Sequence, residues 1–420
     1  MLLRDRIKTC LLTMALLFPI GLGFYSGFSS NLGQADFVFV NQGEVSSLDP
    51  ALASGIPEGR ILMAVSEGLT SLHPHKLEPI PGCASSWNLS EAGKVVTFHL
   101  RQDLVWSNGQ PLNAHDFVFS WRRLLDPLIA SPYAYLLWDV EGAHEYTESR
   151  TQAGQTVQAR LMDGSIVNGR LMSKDELVIR IASTSQGLEK QNTIPTREVA
   201  ELIPSAESLG ISAPDSLTLQ VRLKQACPYF PLLTAFYPLF PVYADPASGR
   251  VDITINNGPF LVSARRLKDR IRLARNPFYW DAGQVHLDTI DALAITSPMT
   301  ALNLYSTGTV DWINNVPPIV LPFVRDREDF SLTPNLGTNF LRLNVTIPPL
   351  DREKVRLALH LAIDNSAIID YVLKGGQLVA TSFVPPGIPG YTPPVIDSFD
   401  PEKARRLLAE EGFPQGKWLP

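Results

Sequence analysis

The chain has 420 residues, too many for one compact core, so two or three folding units are expected. Its 45% hydrophobic and 19% charged residues are the balance of a globular protein, and a formal net charge of −6 with dispersed Lys and Arg gives no footprint for nucleic acid. Three cysteines without CxxC or Cys/His spacing argue against a disulfide scaffold and against a cysteine metal site.

At the N-terminus, Arg4, Arg6 and Lys8 precede an uncharged, largely apolar run over 9–33. Residues 1–35 therefore read as an export signal, with Gly33-Gln34-Ala35 as a weak cleavage site, or as a single membrane anchor whose basic flank stays inside. Cys10 follows the charges too closely for lipoprotein acylation. Either reading places the body of the chain outside the cytoplasm.

Phe37-Val38-Phe39-Val40 reads as the first strand, 58–69 as a helix, and Val95 to Leu100 as a strand entered through the turn Glu91-Ala92-Gly93-Lys94. A helix over 114–125 follows from an Asn113 cap with Phe117, Trp121, Leu124 and Leu125 at helical spacing. Residues 145–208 read as a hairpin-like elaboration turning at Asp163-Gly164 and Asn168-Gly169, with the polar stretch 183–196 as a mobile surface loop. An amphipathic helix over 351–361 precedes a stiff crossing containing Pro385, Pro386, Pro389, Pro393 and Pro394. A last helix, 401–411, runs from an Asp400 cap to Gly412. Strands interleaved with helices indicate an α/β or α+β body.

No GxSxG, GxxxxGK[ST] or HExxH occurs, so no catalytic residue, metal ligand or cofactor is assigned and the chain does not read as an enzyme. His73 and His75 sit in a Pro-containing turn, which favours a solvated turn over a metal clip. Asp311 and Asp364 read as turn and cap residues. Cys83 and Cys227 are open to two readings, a bridge or two separate buried thiols. Trp106-Ser107-Asn108-Gly109 presents an exposed-looking indole, and Ser131-Pro132-Tyr133-Ala134-Tyr135 puts two tyrosines in a loop.

Ten short motifs in order carry a resemblance. They include Ser47-Leu48-Asp49-Pro50, Glu67-Gly68-Leu69, Pro81-Gly82-Cys83-Ala84-Ser85-Ser86-Trp87, Trp106-Ser107-Asn108-Gly109 and Asp116-Phe117-Val118-Phe119-Ser120-Trp121. The later ones include Asn257-Gly258-Pro259-Phe260, Asn276-Pro277-Phe278-Tyr279-Trp280 and Gly308-Thr309-Val310-Asp311. Together they make the chain similar to the family 5 extracellular solute-binding proteins, the oligopeptide-binding proteins of ABC importers. The resemblance implies a type II periplasmic-binding-protein fold, a two-lobed clamp closing by a hinge on an extended oligopeptide, with a permease and an ATPase as partners. It assigns 36–334 to the first lobe and 335–420 to the hinge crossing and the start of the second, which is expected to be incomplete, as a fragment or as a chain completed by a partner.

Carried over motif by motif, Ser54, Gly55 and Ile56 match a strip resembling a strand edge for the peptide backbone, with Gly55 permitting close approach. Tyr133 matches a pocket aromatic and Asn315 a polar contact. Phe340 and Arg342 match cleft-facing positions on a strand expected over 339–344. Relatives can carry an acidic residue where Arg342 stands, so the hypothesis is that Arg342 selects acidic peptides or a ligand carboxylate. Trp87, Trp106 and Trp121 are assigned to packing. The alternatives are another ligand (nickel chelate, haem or sugar), an anchored scaffold, or an exported enzyme with a degenerate cleft.

Overall fold

The computed structural model describes residues 32–417 except 152, 186–187, 334, 389–390, 396–398 and 415–416. The leader or anchor reading of the N-terminus, Cys10 and Pro389 fall outside the described residues. No helix among the described residues is long and apolar enough to cross a membrane. By contacts the chain divides into two units, the first running to Ser297 and including Leu304–Trp312, the second comprising Pro298–Asn303 and everything from Ile313.

Unit 1 opens with strand β1, Phe37–Val40, and helix α1, Ile56–Val65. Strands β2, Ala84–Ser90, and β3, Val95–Leu100, come next, followed by helix α2, Ala114–Leu125. Five strands then run in succession: β4 (Thr156–Leu161), β5 (Ile166–Lys174), β6 (Val178–Ser185), β7 (Leu188–Pro195) and β8 (Val199–Pro204). Strands β9, Ile211–Asp215, and β10, Thr218–Arg222, return to a sheet ordered β9-β10-β3-β2, and β11 (Phe260–Arg266), β12 (Arg270–Arg275) and β13 (Thr289–Leu293) complete another, ordered β1-β13-β12-β11. In the latter, β1 pairs parallel with β13 and the other pairs are antiparallel.

Helix α2 forms where its sequence asks. Asn113 accepts from the His115 N–H at 2.8 Å while Asp116 accepts from the Asn113 N–H at 2.8 Å, a reciprocal cap that satisfies orphan donors at the helix start. Its apolar face buries Phe117, Trp121, Leu124 and Leu125 against Phe98, Leu219 and Val221 of the neighbouring sheet. The Trp121 indole donates to the Leu239 carbonyl at 2.9 Å. Trp106 is packed, in line with its assignment and against the exposed look of its turn: it is 1% exposed and stands edge-on to Tyr243 at 5.7 Å. The Ser107 N–H, bonded to the Asn256 carbonyl, pulls that turn inward.

Helix α1 packs Ile61 and Val65 on Ile271, Leu273, Ile290 and Ala292. It stops at Val65, short of the expected 69, because the Gly258 N–H takes the Val65 carbonyl and Ser66 turns extended. Strand residues alternate between faces, so Arg272 and Asp291 lie opposite that core. There they form a buried two-point ion pair at 2.7 and 2.6 Å, with Arg270 adding a third bond at 2.8 Å.

Strands β4 to β8 form a separate antiparallel sheet ordered β8-β4-β5-β6-β7, with its own core of Val157, Ala159, Leu171, Ile179, Ile181 and Ile194. This corrects two expectations. Most of 183–196 is strand, because Ile194 opposite Ile179 buries one face while alternate residues such as Thr193 stay polar on the other. Asn168-Gly169 is no turn but mid-strand, where a Cβ on Gly169 would fall 2.3 Å from the Ala182 carbonyl oxygen. The Asp163-Gly164 turn stands as expected, with Gly164 at φ +85°.

Four motif segments meet at Glu67. Its carboxylate accepts from the Tyr279 hydroxyl at 2.8 Å and the Trp280 indole at 2.6 Å, and its backbone carbonyl accepts from the Asn257 amide at 2.9 Å. Burial pushes the Glu67 carboxyl above its usual range against the pull of the Trp280, Tyr279 and Cys83 bonds. The Cys83 thiol lies 3.2 Å from the Asn257 amide nitrogen, and both Cys83 and Cys227 are free and buried, which settles the two readings in favour of separate thiols.

In unit 2, helix α3, Glu353–Leu361, and helix α4, Pro401–Glu410, pack through Ala358, Leu361 and Ala404. Asp400 caps α4 by accepting from the Lys403 N–H, and Asp364 accepts from the Ala367 N–H, each at 2.9 Å. Residues 339–344, expected as a strand, adopt none. A strand needs a neighbour for its backbone groups, and among the described residues none pairs with this segment.

Candidate functional site

The site begins at the Leu48-Asp49-Pro50 turn of unit 1. Asp49 grips Arg123 of α2 at 2.8 and 2.5 Å and accepts from the Ala51 N–H at 3.0 Å, fixing the turn to the helix. The chain then runs without regular structure through Ala53 and Ser54 to the extended Gly55 and into α1. Two tyrosines hold it from behind: Tyr237 donates to the Ala53 carbonyl at 3.3 Å and Tyr133 to the Ser54 carbonyl at 3.4 Å.

The expected strand edge at Ser54-Gly55-Ile56 is therefore corrected. Gly55 is the extended N-cap of α1 and Ile56 its first helical residue, because Pro57 and the acidic Glu58 favour a helix start. Gly55 also has a local reason to be glycine, since a Cβ would lie 2.0 Å from the Glu58 carboxylate. Glu58 is fixed there by the Ser46 N–H at 2.8 Å and hydroxyl at 2.7 Å. Burial pushes its carboxyl up, but these two bonds and the Arg265 charge outweigh it and hold the group below its usual range.

What remains open is the front of the strip. Ser54 and Ile56 are exposed, Ile56 by 68%. The backbone N–H groups of Ser54, Gly55 and Ile56 donate to no acceptor among the described residues. Beside them Tyr133 meets Phe236 and Tyr237 edge-on at 5.4 and 6.0 Å, and Tyr135 lies 6.2 Å away. Burial first, then the bond with Tyr133, pushes the Tyr237 phenol above its ordinary range, so its hydroxyl stays a proton donor at any working pH.

The structure thus brings Ser54, Gly55, Ile56 and Tyr133 together. Asn315, Phe340 and Arg342 belong to unit 2, where all three are exposed and Phe340 meets the Phe383 ring at 4.9 Å. Phe236 and Tyr237 were not singled out from sequence, although the run Phe236-Tyr237-Pro238-Leu239-Phe240-Pro241 is dense enough in aromatics and prolines to mark a rigid aromatic surface. Replacing Tyr237 with Phe removes the donor to the buried Ala53 carbonyl. Stability in urea is expected to fall by about 1 kcal/mol, and unchanged unfolding would show that the strip is held by other means.

The model for bacterial extracellular solute-binding proteins, family 5 Middle, matches residues 78–419. The chain belongs to this family. The periplasmic oligopeptide-binding protein OppA of Escherichia coli is 31% identical to this family 5 protein over 401 residues, covering 90% of this chain and 63% of the relative, so the chain spans less than two thirds of its length. The crystal structure of the OppAIV oligopeptide-binding protein from Borrelia burgdorferi superposes with a TM-score of 0.72 at 26% identity, covering 92% of this chain and 68% of that one. Haemophilus influenzae OppA in complex with RPPGFSPFR gives 0.70 at 28% identity, covering 90% and 68%. The fold class is accordingly mixed α/β of the type II periplasmic binding proteins, and family 5 is a family of solute-binding proteins.

Proposed function

We propose that this chain is the extracytoplasmic peptide-capturing component of an ABC importer, acting with a membrane permease and ATPase and performing no chemistry itself. The observation that carries the reading is the set of idle N–H groups at Ser54, Gly55 and Ile56, held by two tyrosine hydroxyls and bordered by the half-buried Tyr133 and the exposed Tyr135. An extended peptide supplies carbonyls to whichever of these groups face it, whatever its side chains, which suits a binder of many sequences. Tyr133 and Tyr135 then offer apolar faces with polar tips to the side chains beside it. Asn315, Phe340 and Arg342 are proposed as further ligand contacts from unit 2, with Arg342 favouring acidic ligands. The names of the E. coli and H. influenzae relatives support the ligand class, and their periplasmic setting supports a location outside the cytoplasm.

A ligand that binds only the folded state raises its melting temperature. Oligopeptides are expected to do so, while nickel chelates, haem and sugars leave it unmoved. A rise with one of those controls and none with peptides would reassign the ligand.

A further inference from the structure

One face of α1 points away from the core that Ile61 and Val65 build. Ile56, Arg60 and Met63 follow one another at spacings of four and three and so share that face. Ile56 is 68% and Met63 50% exposed. Between them the half-buried Arg60 guanidinium stands 5.6 Å from the centre of the Trp312 ring, which is itself 42% exposed. Trp312 is seated by its carbonyl, which accepts from the Val40 N–H at 3.2 Å, and by Phe39, edge-on at 6.1 Å.

Arg60 is poorly paid for its burial. A guanidinium carries five N–H donors. Here one is in use, in a long bond of 3.4 Å to the Asn41 side-chain oxygen, and Asn41 is itself fixed by its amide on the Pro57 carbonyl at 3.1 Å. Among the described residues no carboxylate forms an ion pair with Arg60, whereas Arg123, Arg270 and Arg272 each grip an aspartate and Arg265 a glutamate. Burial is the one influence on its basicity, and it pushes the guanidinium down with no opposing negative charge. A half-buried guanidinium with no counter-charge keeps its remaining N–H donors available to a ligand.

We propose that Arg60, backed by Trp312 and Asn41, is the carboxylate-selecting group of this surface and pairs with a ligand carboxylate, the C-terminal group or an acidic side chain. The assignment rests on the peptide reading and sharpens it. Guanidinium and carboxylate match as a two-point pair, and the Trp312 ring holds the guanidinium plane ready for it.

The test is calorimetric titration of the full chain with four tetrapeptides: Ala-Gln-Ala-Ala as free acid and as C-terminal amide, and Ala-Glu-Ala-Ala in the same two forms. Amidation of the Gln peptide is expected to weaken binding about tenfold or more if Arg60 takes the C-terminus, and a Glu side chain to restore it if Arg60 takes acidic side chains. In Arg60→Met the preference for the negatively charged ligand disappears, and in Arg60→Lys it is reduced but present, with both variants checked for wild-type melting. Equal affinity of the wild type for all four peptides, or a preference that survives in Arg60→Met, overturns the assignment and leaves peptide capture standing. Absence of binding to every peptide overturns the parent reading and this one with it.

Discussion

Asp291→Ala is expected to destabilise unit 1 by about 3–5 kcal/mol, because it leaves the Arg272 guanidinium buried without its carboxylate. The loss is one of desolvation rather than of attraction alone, so the paired change Arg272→Met with Asp291→Leu should recover most of it. Urea unfolding of the two variants checks this, and a paired variant as unstable as Asp291→Ala would refute the reasoning. The same pair fixes a pH dependence. Burial pushes the Asp291 carboxyl up, but the Arg272 and Arg270 bonds outweigh it and hold it below its ordinary value of 3.8. A depressed native carboxyl contributes stability that is present above the unfolded value and is lost as pH falls through the native one. Acid unfolding of the wild type below pH 3.8 should therefore be steeper than that of the paired variant.

Asp49→Ala is expected to cost about 3 kcal/mol and also to weaken ligand capture. It strands Arg123 and releases the Ala51 N–H, so the turn that feeds the Ser54–Gly55 strip loses its tie to α2. Asp49→Asn keeps an acceptor for Ala51 while removing the charge, and should fall between Ala and wild type in both melting and affinity. Wild-type affinity in a destabilised Asp49→Ala would mean that the two tyrosine hydroxyls hold the strip unaided.

Much of the fold is legible in the residues themselves. Helix α2 could be bounded from Asn113 and the spacing of Phe117, Trp121 and Leu124 because local capping and one buried face agree there. The five-stranded sheet was harder, since its outer face is polar and Ile179 and Ile194 reveal their pairing only across a hairpin. The family motifs could be found but not weighed: Asn257, Tyr279 and Trp280 turn out to share Glu67 as their common partner. Tyr133 was legible as a loop aromatic. Its partners Phe236 and Tyr237 lie about a hundred positions away, and only folding brings their rings to it. Arg60 gave no signal in sequence, because what distinguishes it is the counter-ion that its neighbours do not supply.

The central claim is that an extended peptide lies along Ser54 to Ile56 beside Tyr133. Photo-crosslinking with a peptide carrying benzoylphenylalanine, followed by mass mapping of the labelled fragments, tests it most directly. Labelling of residues 52–63 and 133–135, competed away by unlabelled peptide, is the expected result. Competed labelling confined to the sheet of residues 156–204, or none that unlabelled peptide can displace, would contradict it.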